Sequence, residues 1–235
     1  MTTQSVRPTT PTQPLPLSLR RAVAPGLLIV VAGAVQGDGA LITAAYRTAS
    51  PVSDEQLSFP WEGATAVTTS LIWGITQVML VVGLVAFTRG GAAPTRLGQV
   101  GGRLAVAGAL LFVVGHALSL AGYDAAIDDP IAVVVLVCFG IGTLLSATGL
   151  VMAGTVTLRS GVWSSWRRYT PLALGVWMLA MMPLQFTAAL PVAVSIYAFA
   201  VMALGLAMII ESLKHESGRD QPAAASPAAT LSADE

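Results

Sequence analysis

Charge is what this 235-residue chain has least of: Asp, Glu, Lys and Arg make up only 10% of it, where a soluble domain carries about 25%. The 12 basic residues are balanced by 12 acidic ones, so no net charge points to nucleic acid or another anionic partner. One cysteine, Cys138, excludes an internal disulfide framework and a thiolate metal cluster within the chain. One lysine, Lys214, and no Gly-x-x-x-x-Gly-Lys run exclude a phosphate-cradling loop. Gly-x-Ser does not occur, which removes the nucleophile motif of a six-helix intramembrane serine protease. His215-Glu216 is followed by Ser217, Gly218 and Arg219, so the second histidine of a zincin helix is missing. Gly37-Asp38-Gly39 lacks the third glycine and the strand context of a dinucleotide fingerprint. His116 has no second buried histidine to share a haem with, since His215 lies past the last apolar stretch. No metal, no cofactor and no enzyme activity are expected, the alternative being a lipid-acting intramembrane enzyme that uses an Asp–His pair.

Apolar side chains fill the space that charge leaves. They reach 54% of the chain, and the mean hydropathy is +0.74. A membrane helix needs about 20 mainly apolar residues, because the hydrocarbon core is about 30 Å thick and each residue rises about 1.5 Å. Six stretches qualify, at about 22–46, 66–88, 104–123, 131–157, 170–189 and 191–211. Pro183 and Pro191 divide the last two: the first bends or ends a helix, and the second suits the opening turn of the next. The first stretch follows about 20 polar residues and exceeds a signal h-region, so a retained signal-anchor is expected despite the Ala32–Ala34 triplet. The expected architecture is all-α: a polytopic transmembrane helical bundle of six spans, N-in/C-in, in the cell (cytoplasmic) membrane. Residues 1–21 and 212–235, rich in Pro, Thr, Ser, Gln and Ala, are expected to be disordered cytoplasmic tails.

Orientation comes from the few basic residues, which stay cytoplasmic near span ends. With the N-terminus inside, Arg7, Arg20, Arg21, Arg89, Arg96, Arg103, Arg159, Arg167, Arg168, Lys214 and Arg219 all fall inside, and only Arg47 outside. The outer loops carry Asp54, Glu55, Glu62, Asp124, Asp128 and Asp129. Trp61 and Tyr123 are expected as outer interface anchors, and Trp163, Trp166 and Tyr169 as inner ones. The same inner arginines and tryptophans would suit anionic headgroups, although topology alone already requires them.

Small residues mark where helices can approach in lipid. Gly101, Gly108, Gly115 and Gly122 recur every seven residues, a nearly straight seam along the third span. Gly26, Gly33, Gly37, Ala40 and Ala44 line one face of the first span, and Cys138, Gly142, Ser146, Gly149 and Ala153 one face of the fourth. Spans one, three and four are therefore expected at the tight centre. A homo- or hetero-oligomer through these faces is the alternative use of the glycines, with the lipid bilayer the general partner.

Ionisable or amide groups inside hydrocarbon are functional candidates by default. Asp38 and His116 each lie about eight residues, or roughly 12 Å, from the outer end of their spans. Gln77 falls slightly deeper, and Gln36, Gln185 and Ser119 complete the polar set. An Asp38–His116 contact would make a proton-sensitive switch; the alternative is that both residues only fix helix packing. Met178, Met181 and Met182 lead to Gln185 along one helical stripe and are expected as adaptable packing rather than a copper(I) site. Cys138 is expected as a small buried residue.

The stretch Trp166-Arg167-Arg168-Tyr169-Thr170-Pro171-Leu172, with Gly175 and Pro183 beyond it, resembles a pattern in uncharacterised six-span integral membrane proteins of actinobacteria. The chain's arginines, eleven against one lysine, and its lack of asparagine fit a GC-rich coding bias. The resemblance covers the C-terminal third and implies a bacterial six-span protein, with no activity or site residues attached. Two function classes remain. The expected one is a non-catalytic membrane partner, regulatory or scaffold in role. The alternative is a small-solute or proton-linked transporter or sensor built on an outward-facing polar cluster of Asp38, Gln77 and His116. A cavity reaching that cluster favours the alternative, and a dry bundle favours the scaffold.

Overall fold

A computed structural model describes residues 17–219 as a helical bundle. Its helices are α1 (Leu17–Tyr46), α2 (Gly63–Arg89), α3 (Arg96–Ala121), α4 (Pro130–Ser160), α5 (Thr170–Ala180) and α6 (Leu190–Arg219). Short 3-10 turns at Ser165–Tyr169 and Met182–Phe186 flank α5. Five helices, α1 to α4 and α6, are long and apolar enough to cross a membrane. The chain is thus an all-α, multi-pass membrane protein. Residues 1–16 and 220–235, most of both expected tails, lie outside the described residues.

The helices outrun the expected apolar spans, and at α3 and α4 local capping marks where they begin or end. Thr95 accepts a hydrogen bond from the Gly98 amide at 3.2 Å, starting α3 eight residues before the expected boundary. Pro130 occupies the first turn of α4, and Gly161, with φ of 65°, closes it in the left-handed conformation. α1 and α6 likewise extend past residues 22 and 211. The expected span over 170–189 is corrected: only Thr170–Ala180 is α-helical, about 16 Å of rise. Pro183 has no amide to donate and disfavours helix in the residue before it, so the chain tightens into a 3-10 turn. Pro191 then sits in the first turn of α6, as expected.

Neighbouring helices run antiparallel, and the contacts close into a ring in which α6 returns to α1. The expected glycine seam of α3 faces α4 throughout. A Cβ at Gly101 would meet Gly149 O at 2.7 Å, one at Gly108 would meet Gly142 O at 2.5 Å, and those at Gly115 and Gly122 would strike Phe139 and Ile131. α1 does not join this pair, which corrects the expected centre of spans one, three and four. Its glycines face α6 instead: a Cβ at Gly26 would meet Gly205 O at 2.8 Å, and one at Gly33 would meet Ala198 O at 2.8 Å. The small-residue faces are consumed by two separate intrachain pairs.

The two ends of the bundle differ. At the basic end, where Arg89, Arg96 and Arg159 lie, Trp163 is buried edge-on against Phe87 at 5.6 Å. It is a core residue there, not the expected interface anchor, while Trp166 and Tyr169 are exposed. Arg167 is buried too, its Nε donating to Glu211 Oε1 at 2.6 Å. At the opposite, loop end, Tyr46 stacks on Trp61 at 5.1 Å and Arg47 lies over the Phe59 ring at 5.0 Å. The long loop between α1 and α2 joins the α3–α4 loop through a short antiparallel bridge: Leu57 N donates to Ala125 O at 3.0 Å, and Ile127 N to Glu55 O at 2.8 Å.

Candidate functional site

The ring of helices encloses a chamber of about 540 Å³ that opens toward the loop end. Every helix contributes to it: Gln36 from α1, Trp73 and Gln77 from α2, Phe112 and His116 from α3. Phe139 and Thr143 come from α4, Met178 from α5, Gln185 from the following 3-10 turn, and Val194 and Tyr197 from α6. Its rim carries Arg47, Asp54, Phe59, Ile127 and Thr187, all in loops. Gln77 lies fourteen residues into α2, so the chamber reaches about 21 Å from the loop end of that helix. Beyond it the bundle is packed with Ile29, Leu80, Leu84, Leu150, Leu174, Val201 and Leu204. The chamber therefore opens at one end and is plugged at the other.

Four of the six expected polar residues meet here: Gln36, Gln77, His116 and Gln185. Ser119 is buried one turn beyond His116, gives its hydroxyl proton to Gly115 O at 2.9 Å, and lines a smaller cleft of about 160 Å³ on the far side of the imidazole. Asp38 is exposed on the outside of the bundle and makes no contact with His116. The geometry of a helix explains it: two residues after inward-facing Gln36 is a turn of about 200°, to the opposite face. The expected Asp38–His116 switch is not formed. His116 instead sits between Trp73, at 6.2 Å between ring centroids, and Phe139, at 5.0 Å.

The deep wall holds an unusual hydrogen-bond account. Gln36 is 1% exposed and Gln77 5%, and the Oε1 atoms of both lack any partner. Such atoms are rare in folded proteins and call for an explanation. For Gln36 the amide orientation follows from its neighbours. Thr76 has one hydroxyl proton, which it gives to Trp73 O at 2.8 Å. Its oxygen can therefore only accept from Gln36, which turns its Nε2 to Thr76 at 2.9 Å and leaves Oε1 as a free acceptor. Thr143 likewise commits its proton to Phe139 O at 2.8 Å.

Sequence reasoning on polar residues alone missed the aromatic walls. A signal was present: in three successive helices an aromatic residue stands one turn before a polar one, as Trp73–Gln77, Phe112–His116 and Phe139–Thr143. Spacing of four places both on one face. The expected methionine stripe also turns inward, with Met178 and Met181 joining Gln185 on the chamber wall. Cys138 is half-buried beside Phe139, outside the chamber lining. Comparison with protein-family models, curated proteins and solved structures returned no match.

Proposed function

We propose that this chain is a small-solute-binding protein of the cell membrane, of the transporter or sensor kind, with six crossings and both termini on the cytoplasmic side. The observation that carries it is the one-ended chamber, walled by all six helices and lined by Gln36, Gln77, His116 and Gln185 among aromatic side chains. Pockets of this size, mostly apolar with a few convergent polar groups, are the usual form of a small-molecule site. The scaffold alternative loses support, since the glycine faces it would use are already occupied within the chain. The walls offer amide groups and aromatic faces of the kind that bind a small molecule.

The sixth crossing is supported by the ends of α4 and α6. Arg167 and Ser164, just past the end of α4, meet Glu211 and Lys214, near the end of α6. Two long helices that finish side by side at the basic end both run from the loop end, which favours a return path for residues 165–189 along the bundle. α5 runs antiparallel along α4, its Gly175 against Val151 N and Ala147 O, in keeping with that path. The basic residues favour the basic end as the cytoplasmic one, and in that orientation the chamber opens outward.

Purification from native membrane followed by mass spectrometry of bound small molecules tests the function. A molecule should co-purify with the native chain and be lost on Thr143→Trp, which fills the chamber. Identical small-molecule content in both proteins would overturn the proposal.

A further inference from the structure

Away from the chamber, a groove of about 530 Å³ runs between α2 and α3 at the basic end of the bundle. We propose that it holds an anionic phospholipid of the adjoining leaflet, with the lipid phosphate between Arg89 and Arg103. Along α3 the lining is Gln99, Arg103, Val106, Ala107 and Leu110, a spacing of i, i+4, i+7, i+8 and i+11 that keeps to one helix face. α3 starts at the basic end, so this stripe passes from amide and guanidinium to hydrocarbon as it enters the membrane, about 10 Å from Arg103 to Leu110. Arg89, Thr88 and Val85 repeat the same order on α2. An aqueous anion matches only the outer part of such a groove, and an apolar solute only the inner part. A charged amphiphile matches both.

A close helix contact sets the two arginines opposite each other. A Cβ at Gly102 would meet Thr88 Oγ1 at 2.6 Å, so α2 and α3 touch there. Arg89 follows Thr88 and Arg103 follows Gly102, which puts both arginines at one height on facing helices. Neither forms an ion pair with a described side chain, and Glu211, the one described acidic side chain at this end, is held by Arg167. Arg103 stands seven residues past the start of α3, and its exposed side chain needs water or a counter-anion at its head. A phosphate supplies the counter-anion, because the guanidinium fork matches its oxygens two at a time. Basic pockets between membrane helices are known binding places of anionic headgroups. The preference of basic residues for the cytoplasmic side accounts for arginines at this end, but not for two of them meeting at the head of one apolar groove. A choline lipid carries its own cation beside the phosphate and gains less from them.

The experiment is native mass spectrometry of the full chain in detergent, with phosphatidylglycerol and phosphatidylcholine of identical acyl chains added in competition. Phosphatidylglycerol should be retained about tenfold over phosphatidylcholine, the size of effect that charge-assisted hydrogen bonds give. Arg89→Gln and Arg103→Gln should each remove most of that preference, with thermal midpoints in lipid-free detergent unchanged. Arg159→Gln changes an exposed basic-end arginine outside the groove and should leave the preference intact. Ala107→Trp fills the apolar part and should weaken phosphatidylglycerol retention although every charge remains. Glycerol phosphate, a headgroup without chains, should not displace the lipid at equal concentration. Equal retention of the two lipids, or the same loss in Arg159→Gln as in the groove variants, would overturn the proposal by reducing it to bulk charge. Displacement by glycerol phosphate, or unaltered retention in Ala107→Trp, would overturn it in favour of a free-anion site. If a glutamine variant melts early, the competition on the native chain and on Ala107→Trp still decides.

Discussion

Arg167 and Glu211 are 44 residues apart in sequence, yet their side chains meet at 2.6 Å in a buried ion pair. Arg167 also gives an Nη2 hydrogen bond to the Ser164 hydroxyl, so one guanidinium ties the end of α4 to the end of α6. Removing one partner of a buried pair strands the other charge, a loss of about 3–5 kcal/mol, whereas replacing both by apolar groups is often neutral. Arg167→Ala and Glu211→Ala should each lower the thermal midpoint in detergent, and Arg167→Met with Glu211→Leu should recover much of it. Single variants that melt with the native protein would show that the pair carries no stability.

The glycines of α3 and α4 allow a comparison within one helix pair. A Cβ at Gly108 would press on Ser146 N at 2.5 Å and on backbone oxygen of α4, whereas one at Gly140 meets nothing within 4 Å. Backbone cannot step aside as a flexible side chain can, so Gly108→Ala should cost about 1–3 kcal/mol from overpacking. Gly140→Ala should be neutral or slightly stabilising, because alanine is the better helix former. Thermal unfolding of the two variants side by side checks this, and equal midpoints would contradict the close α3–α4 packing.

How much of this was legible in the sequence depended on the range of the signal. Apolar run length gave the long helices, and the seven-residue glycine period gave the α3 face that meets α4. Local chemistry also gave the break near Pro183 and the restart at Pro191. Which helix each seam would choose was not legible: nothing along α1 says that Gly26 and Gly33 meet Gly205 and Ala198. The same limit hid Glu211, which reads as the polar end of a span until Arg167 is seen beside it. For the site, depth found Gln36, Gln77, His116 and Gln185, because depth is a one-dimensional property. Facing is not, and Asp38 shared the depth but not the face.

The single cysteine makes the topology directly testable. In a Cys138→Ser background, Asp54→Cys, Asp128→Cys and Thr187→Cys should react with a membrane-impermeant maleimide in intact cells. Arg96→Cys and Ser160→Cys should react only after the membrane is opened. All five positions are exposed, so burial does not confuse the comparison. Thr187 decides the sixth crossing: it follows the 3-10 turn after α5, and labelling only after lysis would put residues 165–189 on the cytoplasmic side without a traverse.

Asp38 gives the sharpest test of facing against depth. A carboxylate in this part of a span is costly and would ordinarily be taken as the centre of a site, but here it lies outside the ring of helices while Gln36, two residues earlier, lies inside. Asp38→Asn and Asp38→Leu should therefore leave the chamber's occupancy unchanged. The leucine variant should also insert at least as well, since it replaces an exposed acid with the side chain lipid prefers. Occupancy measured as for the native chain, alongside the yield of folded protein, reads both effects. Loss of the bound molecule in Asp38→Asn with unaltered folding would mean that the acid reaches the chamber in the working protein, and would restore Asp38 as the partner of His116.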